Sequence, residues 1–310
     1  MPLFPNVSSV GDTPNTWEGS LESSYLREFF LTIQRLNPSL FSSFEFEILH
    51  LNTAHRNLTD VAGGPKKVLV WLSDEASSVP IEACKKYAAV FKSYWLNAGP
   101  IGNIYPFPLC GSNEVHATPI VPMRERTTSV FFSGNFCPNR AEFFRAFTKF
   151  AWVPPFPVNA YPIRRVYYEF LRYMVNQRDF SCSFADSSIS FTGGFRKGLP
   201  PAEFAKALAN SKIALCPEGF RSTETIRAFE ALRLGCVVIS PRMPPNKFYH
   251  GSPLIQVHSW LEINKIASSL IADQEMLQNL HYASLEWWQK ICSAKATALE
   301  AYQILARLVD

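Results

Sequence analysis

The segment SKIALCPEGFRSTETIRAFEALRLGCVVIS, from Ser211 to Ser240, decides the fold class of this chain. Ile213 to Cys216 is a short apolar run typical of a strand buried on both faces, and Pro217-Glu218-Gly219 ends it. A helical pattern follows, Gly235 is suited to its C-terminal end, and Cys236 to Ile239 favours a second strand. The segment therefore predicts a strand–helix–strand unit of a parallel sheet, with a right-handed crossover.

The loop between the first strand and the helix is a candidate anion site. Ligands of such sheets bind at the carboxyl ends of the strands, and this loop, residues 217–223, also ends at a helix N-terminus. It carries Arg221-Ser222-Thr223, of which Ser222 is the expected N-cap, with Glu224 in the first turn. Arg227 and Glu230 follow three residues apart on the helix. A phosphate-binding loop followed by a carboxylate that can accept hydrogen bonds from ribose hydroxyls is suited to a nucleotide.

These residues carry a family resemblance. Cys216-Pro217-x-Gly219, followed by Thr225-x-Arg227-x-x-Glu230-Ala231-Leu232-x-x-Gly235-Cys236-Val237, resembles the carboxyl-terminal half of exostosin-like glycosyltransferases. The helical part is also similar to other GT-B transferases, and Thr223-Glu224-Thr225-Ile226 resembles an element of fucosyltransferase-like enzymes. The chain departs from the exostosin-like pattern where Thr225 replaces a serine and Val238 replaces a proline.

The resemblance implies an α/β fold of the GT-B class, with two Rossmann-like domains facing across a cleft and a C-terminal helix returning to the N-terminal domain. It implies an enzyme that moves a sugar, with inversion, from a nucleotide-sugar donor to a glycan or lipid-linked saccharide. A UDP-sugar is the favoured donor and a GDP-sugar, as in fucosyltransferase-like enzymes, the alternative. Glu230 is expected to bond the donor ribose and Arg140 to face the diphosphate. A non-catalytic nucleotide-binding module is the rival interpretation.

A second loop extends the predicted donor site. Ser133-Gly134-Asn135 ends a predicted strand and precedes Arg140 and a helix, which repeats the topology of a phosphate loop. The expected donor-binding residues are Ser133, Gly134, Asn135, Arg140, Cys216, Pro217, Gly219, Arg221, Ser222, Thr223, Thr225, Arg227 and Glu230. The alternatives are a solvated Arg227–Glu230 ion pair, a surface charge at Arg140 and ordinary helix capping by Ser222. Gly193-Gly194, with Arg196 and Lys197, is either a flexible turn or a further donor contact.

The general base is sought in the N-terminal half. Asp74 and Glu75 directly follow the predicted strand Val68–Leu72, at its carboxyl end, and are the expected catalytic pair. The alternative is that they cap a helix predicted near residues 81–96. His50, His55 and Asp60 are further candidates. Neither a DxD motif nor a Cys/His ligand spacing stands out, so neither a metal nor a cofactor is expected.

Composition bounds the remaining possibilities. The chain has 310 residues, 47% of them hydrophobic and 18% charged, which excludes general disorder. Its net charge of +4 suits an anionic nucleotide and permits peripheral association with an acidic membrane surface, but is too small to indicate nucleic-acid binding. The apolar runs are too short to span a membrane, no signal peptide is evident at the start, and seven cysteines without a metal spacing favour buried thiols. A cytoplasmic location is expected.

The predicted organisation is an acceptor-side domain over residues 1–122, a nucleotide-sugar-binding domain over 123–284 and a returning helix over 285–310. The first 20 residues read as an extended lead-in, and residues 117–127 as a linker between the domains. Leu21 to Leu36 predicts a helix ended by Asn37-Pro38, and Thr128 to Ser133 predicts a strand.

Overall fold

The computed structural model describes residues 3–10, 17–50, 63–77, 79–147, 166, 178–179, 184–194 and 197–309. His55, Asp60, Arg196 and, apart from residue 166, a helix predicted over residues 164–177 lie outside the described residues. The chain divides into two compact units. Unit 1 comprises Met1–His116, Pro244–Ser252 and Glu286–Asp310, and unit 2 comprises Ala117–Met243 and Pro253–Leu285.

Each unit is built on a largely parallel β-sheet. The strands are β1 (Val7–Val10), β2 (Glu45–His50), β3 (Gly64–Leu72), β4 (Tyr87–Lys92), β5 (Ile104–Pro106), β6 (Thr128–Asn135), β7 (Arg178–Asp179), β8 (Ser188–Thr192), β9 (Ser211–Leu215), β10 (Val237–Pro241) and β11 (Ile255–Val257). The first sheet has the order β1-β2-β3-β4-β5, and the second β11-β10-β9-β6-β8-β7, in which β7 alone runs antiparallel. The α/β prediction with two Rossmann-like parallel sheets is confirmed.

Helices connect the strands in both units. The α-helices span Ser23–Leu36, Pro38–Ser42, Ile81–Cys84, Asn113–Ala117, Ala141–Arg145, Pro201–Ala209, Ile226–Arg233, Ile263–Ala272, Gln274–Trp287 and Ala294–Ala306. Short 3-10 turns cover Trp17–Gly19, Met123–Glu125, Pro138–Arg140 and Trp260–Glu262, and a π-helical turn covers Trp288–Cys292. In the described part of the chain, none of these helices is both long and apolar enough to traverse a bilayer.

The C-terminal helix packs within unit 1. The helix Ala294–Ala306 packs on Ser23–Leu36, and the Tyr25 hydroxyl donates to the Cys292 carbonyl oxygen at 2.8 Å. Tyr25, Phe29 and Phe30 are fully buried on the inner face of the first helix. The apolar stripe of Ser23–Leu36 therefore has its partner within the same unit.

Three local predictions were wrong in unit 1 and at its start. The helix expected near residues 81–96 is limited to Ile81–Cys84, because the sheet needs a strand between β3 and β5 and Tyr87–Lys92 supplies it with buried Val90 and Phe91. Asp74 and Glu75 therefore do not cap that helix, whose N-cap is Pro80. The expected extended lead-in contains β1, which pairs in parallel with β2.

The expected linker over residues 117–127 is part of unit 2. Arg126 is only 3% exposed, and its guanidinium donates to the carbonyl oxygens of Val121, Ser211 and Leu234. These bonds attach the segment to the starts of β9 and β10, so it is built into the unit rather than solvated.

Candidate functional site

The β9–helix–β10 unit predicted from the sequence is present in unit 2. Strands β9 and β10 pair in parallel, and Ile226–Arg233 connects them. The helix begins later than expected: Thr225, with φ −137° and ψ 144°, is its N-cap, and Ser222 instead accepts a hydrogen bond from the Glu224 amide at 3.0 Å. The prediction of Ser222 as N-cap was therefore wrong, because Ser222 closes a local turn three residues earlier.

The helix N-terminus carries two donors without a partner. Thr225 is 7% exposed and its side chain does not cap the helix. Its hydroxyl and the Arg227 Nε–H are both buried and have no hydrogen-bond partner among the described residues. Buried donors of this kind are costly unless a ligand or water satisfies them.

The absence of a side chain at Gly134 leaves space for arginine guanidinium groups at this edge of the sheet. A Cβ at Gly134 would lie 2.7 Å from Arg227 Nη2 and 3.4 Å from Arg140 Nη1, so both guanidinium groups lie close to the position that a side chain would occupy here. Arg227 Nη2–H donates to the Ser133 carbonyl oxygen at 2.9 Å, and its guanidinium lies 5.1 Å from the Phe132 ring centroid. The β6 end and the β9–helix loop therefore meet, as predicted.

Burial shifts the pKa values of titratable groups around the N-terminus of the helix Ile226–Arg233. It lowers the pKa of Arg227, while the nearby Glu230 carboxylate acts in the opposite direction. Glu230 itself is 4% exposed, so the solvated-face alternative for this residue is wrong. The Cys216 thiol is fully buried near these residues, and burial raises its pKa to about 12, which keeps it neutral. A charged guanidinium with an open donor favours an anionic ligand here.

Arg140 is buried at the predicted site and bonded to other residues of the protein. It is 5% exposed, so the surface-charge alternative is wrong. Its Nε–H donates to the Glu218 carbonyl oxygen at 2.6 Å, and its Nη1 donates to the backbone and side-chain oxygens of Asn135 at 2.8 and 3.0 Å. Arg140 thus bonds both loops of the predicted site.

The remaining predicted donor residues shape the β9–helix loop. Pro217 and Ser222 are buried, Thr223 is half-buried and Arg221 is exposed. The Gly219 amide donates to the Ser222 carbonyl oxygen at 2.8 Å. At the end of β8, Gly194 accepts from Thr192 Oγ1 and from the Lys197 amide, both at 3.1 Å, which is the turn interpretation of that segment.

The predicted base residues lie in unit 1, after β3. Asp74 is fully buried and accepts a hydrogen bond from Lys92 Nζ, at the end of β4, at 2.8 Å. Lys92 is also fully buried and lies 4.2 Å from the Trp71 ring centroid. Asp74 is thus at the strand end, as expected, but its carboxylate is engaged in a buried ion pair. Glu75 is half-buried, and His50 Nε2 lies 3.5 Å from a Glu22 carboxylate oxygen.

Three residues that bond the predicted site residues were not recognised from the sequence. Asn139 and Trp260 bond the β9–helix loop, and Lys92 neutralises Asp74. Asn139 stands next to the predicted Arg140, which was a usable signal. Trp260 and Lys92 come from distant or misassigned segments and carried none.

Groups of three or more potential metal-ligating side chains are absent from the part of the chain that the structure describes.

No protein-family model matches the chain, and no curated protein is similar to it in sequence. Solved structures are similar in fold. An alpha-glucosyltransferase in complex with UDP-glucose and DNA containing an abasic site has a TM-score of 0.49 and 9% identity, covering 89% of this chain and 84% of its own. Sucrose-phosphate synthase from Thermosynechococcus elongatus has 0.47 and 14%, covering 91% and 79%. AviGT4, a glycosyltransferase involved in avilamycin A biosynthesis, has 0.47 and 10%, covering 94% and 90%.

Proposed function

We propose that this chain is a glycosyltransferase whose second unit binds a nucleotide-sugar donor through its diphosphate. The observation that carries the proposal is the pair of buried, unsatisfied donors, Thr225 Oγ1 and Arg227 Nε, at the N-terminus of Ile226–Arg233. A helix N-terminus, an arginine and a hydroxyl are the groups that hold a diphosphate without a metal. The exostosin-like motif supports the same assignment.

The proposed donor is a UDP-sugar, with a GDP-sugar as the alternative. Glu230 is the proposed ribose ligand, because a buried carboxylate one turn beyond Arg227 can accept two hydroxyl hydrogen bonds. The leaving diphosphate would be stabilised by Arg227, by Thr225 and by the first-turn amides. The proposed acceptor is a glycan or lipid-linked saccharide, the transfer inverting and metal-independent, in the cytoplasm or on an acidic membrane surface.

The general base in this proposal is Glu75. Asp74 is the poorer candidate, because its carboxylate is fully buried against Lys92 and an acceptor hydroxyl would have to displace that ammonium. Deprotonating the acceptor hydroxyl raises its nucleophilicity towards the anomeric carbon, while the donor's charge moves onto the leaving diphosphate. A binding module without catalysis would need the phosphate groups alone.

The donor assignment is tested by ligand binding. Isothermal titration should show that affinity increases with each added phosphate, from uridine to UMP to UDP. Titration with GDP tests the alternative donor. Arg227→Gln should weaken UDP more than uridine, while Arg124→Gln, an exposed arginine in the same unit, should change neither. Absence of binding by every nucleotide tested would overturn the proposal. Release of UDP from UDP-sugars in the presence of glycan acceptors then separates an enzyme from a binding module.

A further inference from the structure

Side chains from outside the loop that follows β9 donate hydrogen bonds to it. These side chains are not among the proposed diphosphate ligands. Arg140 Nε–H donates to the Glu218 carbonyl oxygen at 2.6 Å, and Asn139 Nδ2 donates to the carbonyl oxygens of Gly219 and Phe220 at 3.2 and 2.8 Å. Three successive carbonyl groups of the loop thus point at one short segment, the 3-10 turn Pro138–Arg140.

A further bond holds the side chain of the same loop. The Trp260 indole N–H donates to the Glu218 carboxylate at 3.1 and 3.4 Å. Trp260 is itself fixed, because it is 2% exposed, packs edge-on against Phe143 at 4.7 Å and donates its amide to Glu142. The loop is therefore bonded on both its backbone and its side chain.

The direction of these bonds decides what the loop can present. In a trans peptide the carbonyl oxygen and the next amide N–H point in opposite directions. With the carbonyls of Gly219 and Phe220 turned towards Asn139, the amides of Phe220 and Arg221 are turned away from it. Releasing the carbonyls would let the peptide planes rotate and would leave the amides without a fixed direction.

Two of the three guanidinium nitrogens of Arg140 are bonded to other residues of the protein. Its Nε and Nη1 are committed to Glu218 and to both oxygens of Asn135, and the residue is 5% exposed. A guanidinium that bonds backbone oxygens of two loops fixes their relative position, since its planar fork has a defined geometry.

We infer that Arg140 and Asn139 form a clamp that positions residues 218–220, and that Arg140 is a positioning residue rather than a diphosphate ligand. The clamp is a property of the free protein. Its consequence for donor affinity rests on the proposed function, in which the diphosphate is held by Arg227 and Thr225.

Hydrogen–deuterium exchange of the ligand-free protein tests the clamp directly. The Gly219 amide, bonded to Ser222 at 2.8 Å, reports on the order of the loop. In Arg140→Gln, peptides covering residues 216–222 should exchange at least about tenfold faster, as expected when a charge-assisted hydrogen bond is lost. Asn139→Ala, at an exposed side chain, should act in the same direction and serves as the test if Arg140→Gln does not fold. Arg124→Gln is the control and should leave these peptides unchanged.

Titration with UDP and uridine separates a clamp from a phosphate contact. A clamp predicts that Arg140→Gln weakens both ligands by the same factor, whereas a direct contact predicts a larger loss for UDP. Unchanged exchange over residues 216–222 in folded variants, or a selective loss of UDP, would overturn the inference. If wild type binds neither nucleotide, the proposed function fails, and the exchange result alone still decides the clamp.

Discussion

Arg227 and Glu230 stand three residues apart on one helix, and burial changes what that spacing means. On a solvated face the pair would be worth a few tenths of a kcal/mol. Here Glu230 is 4% exposed, and the Arg227 Nε–H lacks a partner among the described residues, so burying that N–H carries a cost that a ligand can recover. The burial of these two residues therefore favours a role in ligand binding over a role in stabilising the helix.

Glu230→Gln should weaken nucleotide binding through the ribose. We expect a loss of about 1–3 kcal/mol in UDP affinity, the range for a hydrogen bond to a charged group. The sharper measurement is a cycle with 2′,3′-dideoxy-UDP: removing the hydroxyls should cost wild type far more than the variant. Equal costs in both proteins would show that Glu230 does not contact the ribose.

His281 should make stability depend on pH. Burial lowers its pKa below the ordinary value of 6.5, and the nearby Arg126 charge acts in the same direction. The unfolded chain then binds the proton more readily, so this contribution is complete above about pH 6.5 and is lost as pH falls towards the folded-state pKa, at up to about 1.4 kcal/mol per pKa unit.

The measurement is urea unfolding at about pH 7.5 and about pH 5.5, two conditions that span the ordinary titration of histidine. His281→Gln should show a smaller decrease in stability on acidification than wild type. His250→Gln, at an exposed histidine, is the matched control and should behave as wild type. The same pH dependence in all three proteins would exclude His281 as the source.

At the scale of elements, the site is a meeting of the β6 end with the β9–helix loop. Local signals predicted both, because Gly134 follows a clear strand and the Pro217–Gly219 break follows another. Lys92 could not be recognised as the partner of Asp74, since its strand resembles a helix in composition and is made a strand by its neighbours β3 and β5. Trp260 reaches Glu218 from 42 residues away, a distance at which local patterns are silent.

Gly134→Ala should disturb the junction of these elements. The added Cβ would sit 2.7 Å from Arg227 Nη2 and 3.1 Å from Phe132 Cζ, so the guanidinium has to move. We expect weaker UDP binding with the fold retained. Gly198→Ala is the control in the same unit, because no atom lies within 4 Å of its added Cβ. Wild-type affinity for UDP in Gly134→Ala would show that Arg227 need not lie against β6.

At the scale of the molecule, each unit has its own apolar core and its own sheet, and the chain passes between the units more than once. Composition and strand–helix alternation were sufficient to predict two α/β units. The return of Pro244–Ser252 to unit 1 was not predictable, because it depends on contacts such as that of Asn246 Nδ2 with the Trp95 carbonyl oxygen at 2.6 Å.

Chelation should leave transfer intact under the proposed mechanism. In that mechanism Arg227, Thr225 and the helix N-terminus would supply the charge stabilisation that a divalent cation gives in other transferases. Initial rates of UDP release measured with and without EDTA should agree, with added Mg²⁺ as the reciprocal control. Loss of turnover with EDTA and recovery with Mg²⁺ would require a cation at the diphosphate.

Glu75 and Asp74, which are adjacent in unit 1, should respond differently to substitution. Glu75→Gln is expected to lower kcat by roughly 10²–10⁴, the contribution of a general base, while UDP affinity stays at the wild-type value. Asp74→Asn should instead lower stability, because it leaves the buried Lys92 ammonium without its counter-charge, and Lys92→Met in that background should recover part of the loss. Initial rates of UDP release, urea unfolding and UDP titration of wild type, Glu75→Gln, Asp74→Asn and Asp74→Asn/Lys92→Met distinguish the roles. Full activity in Glu75→Gln would remove it as the base.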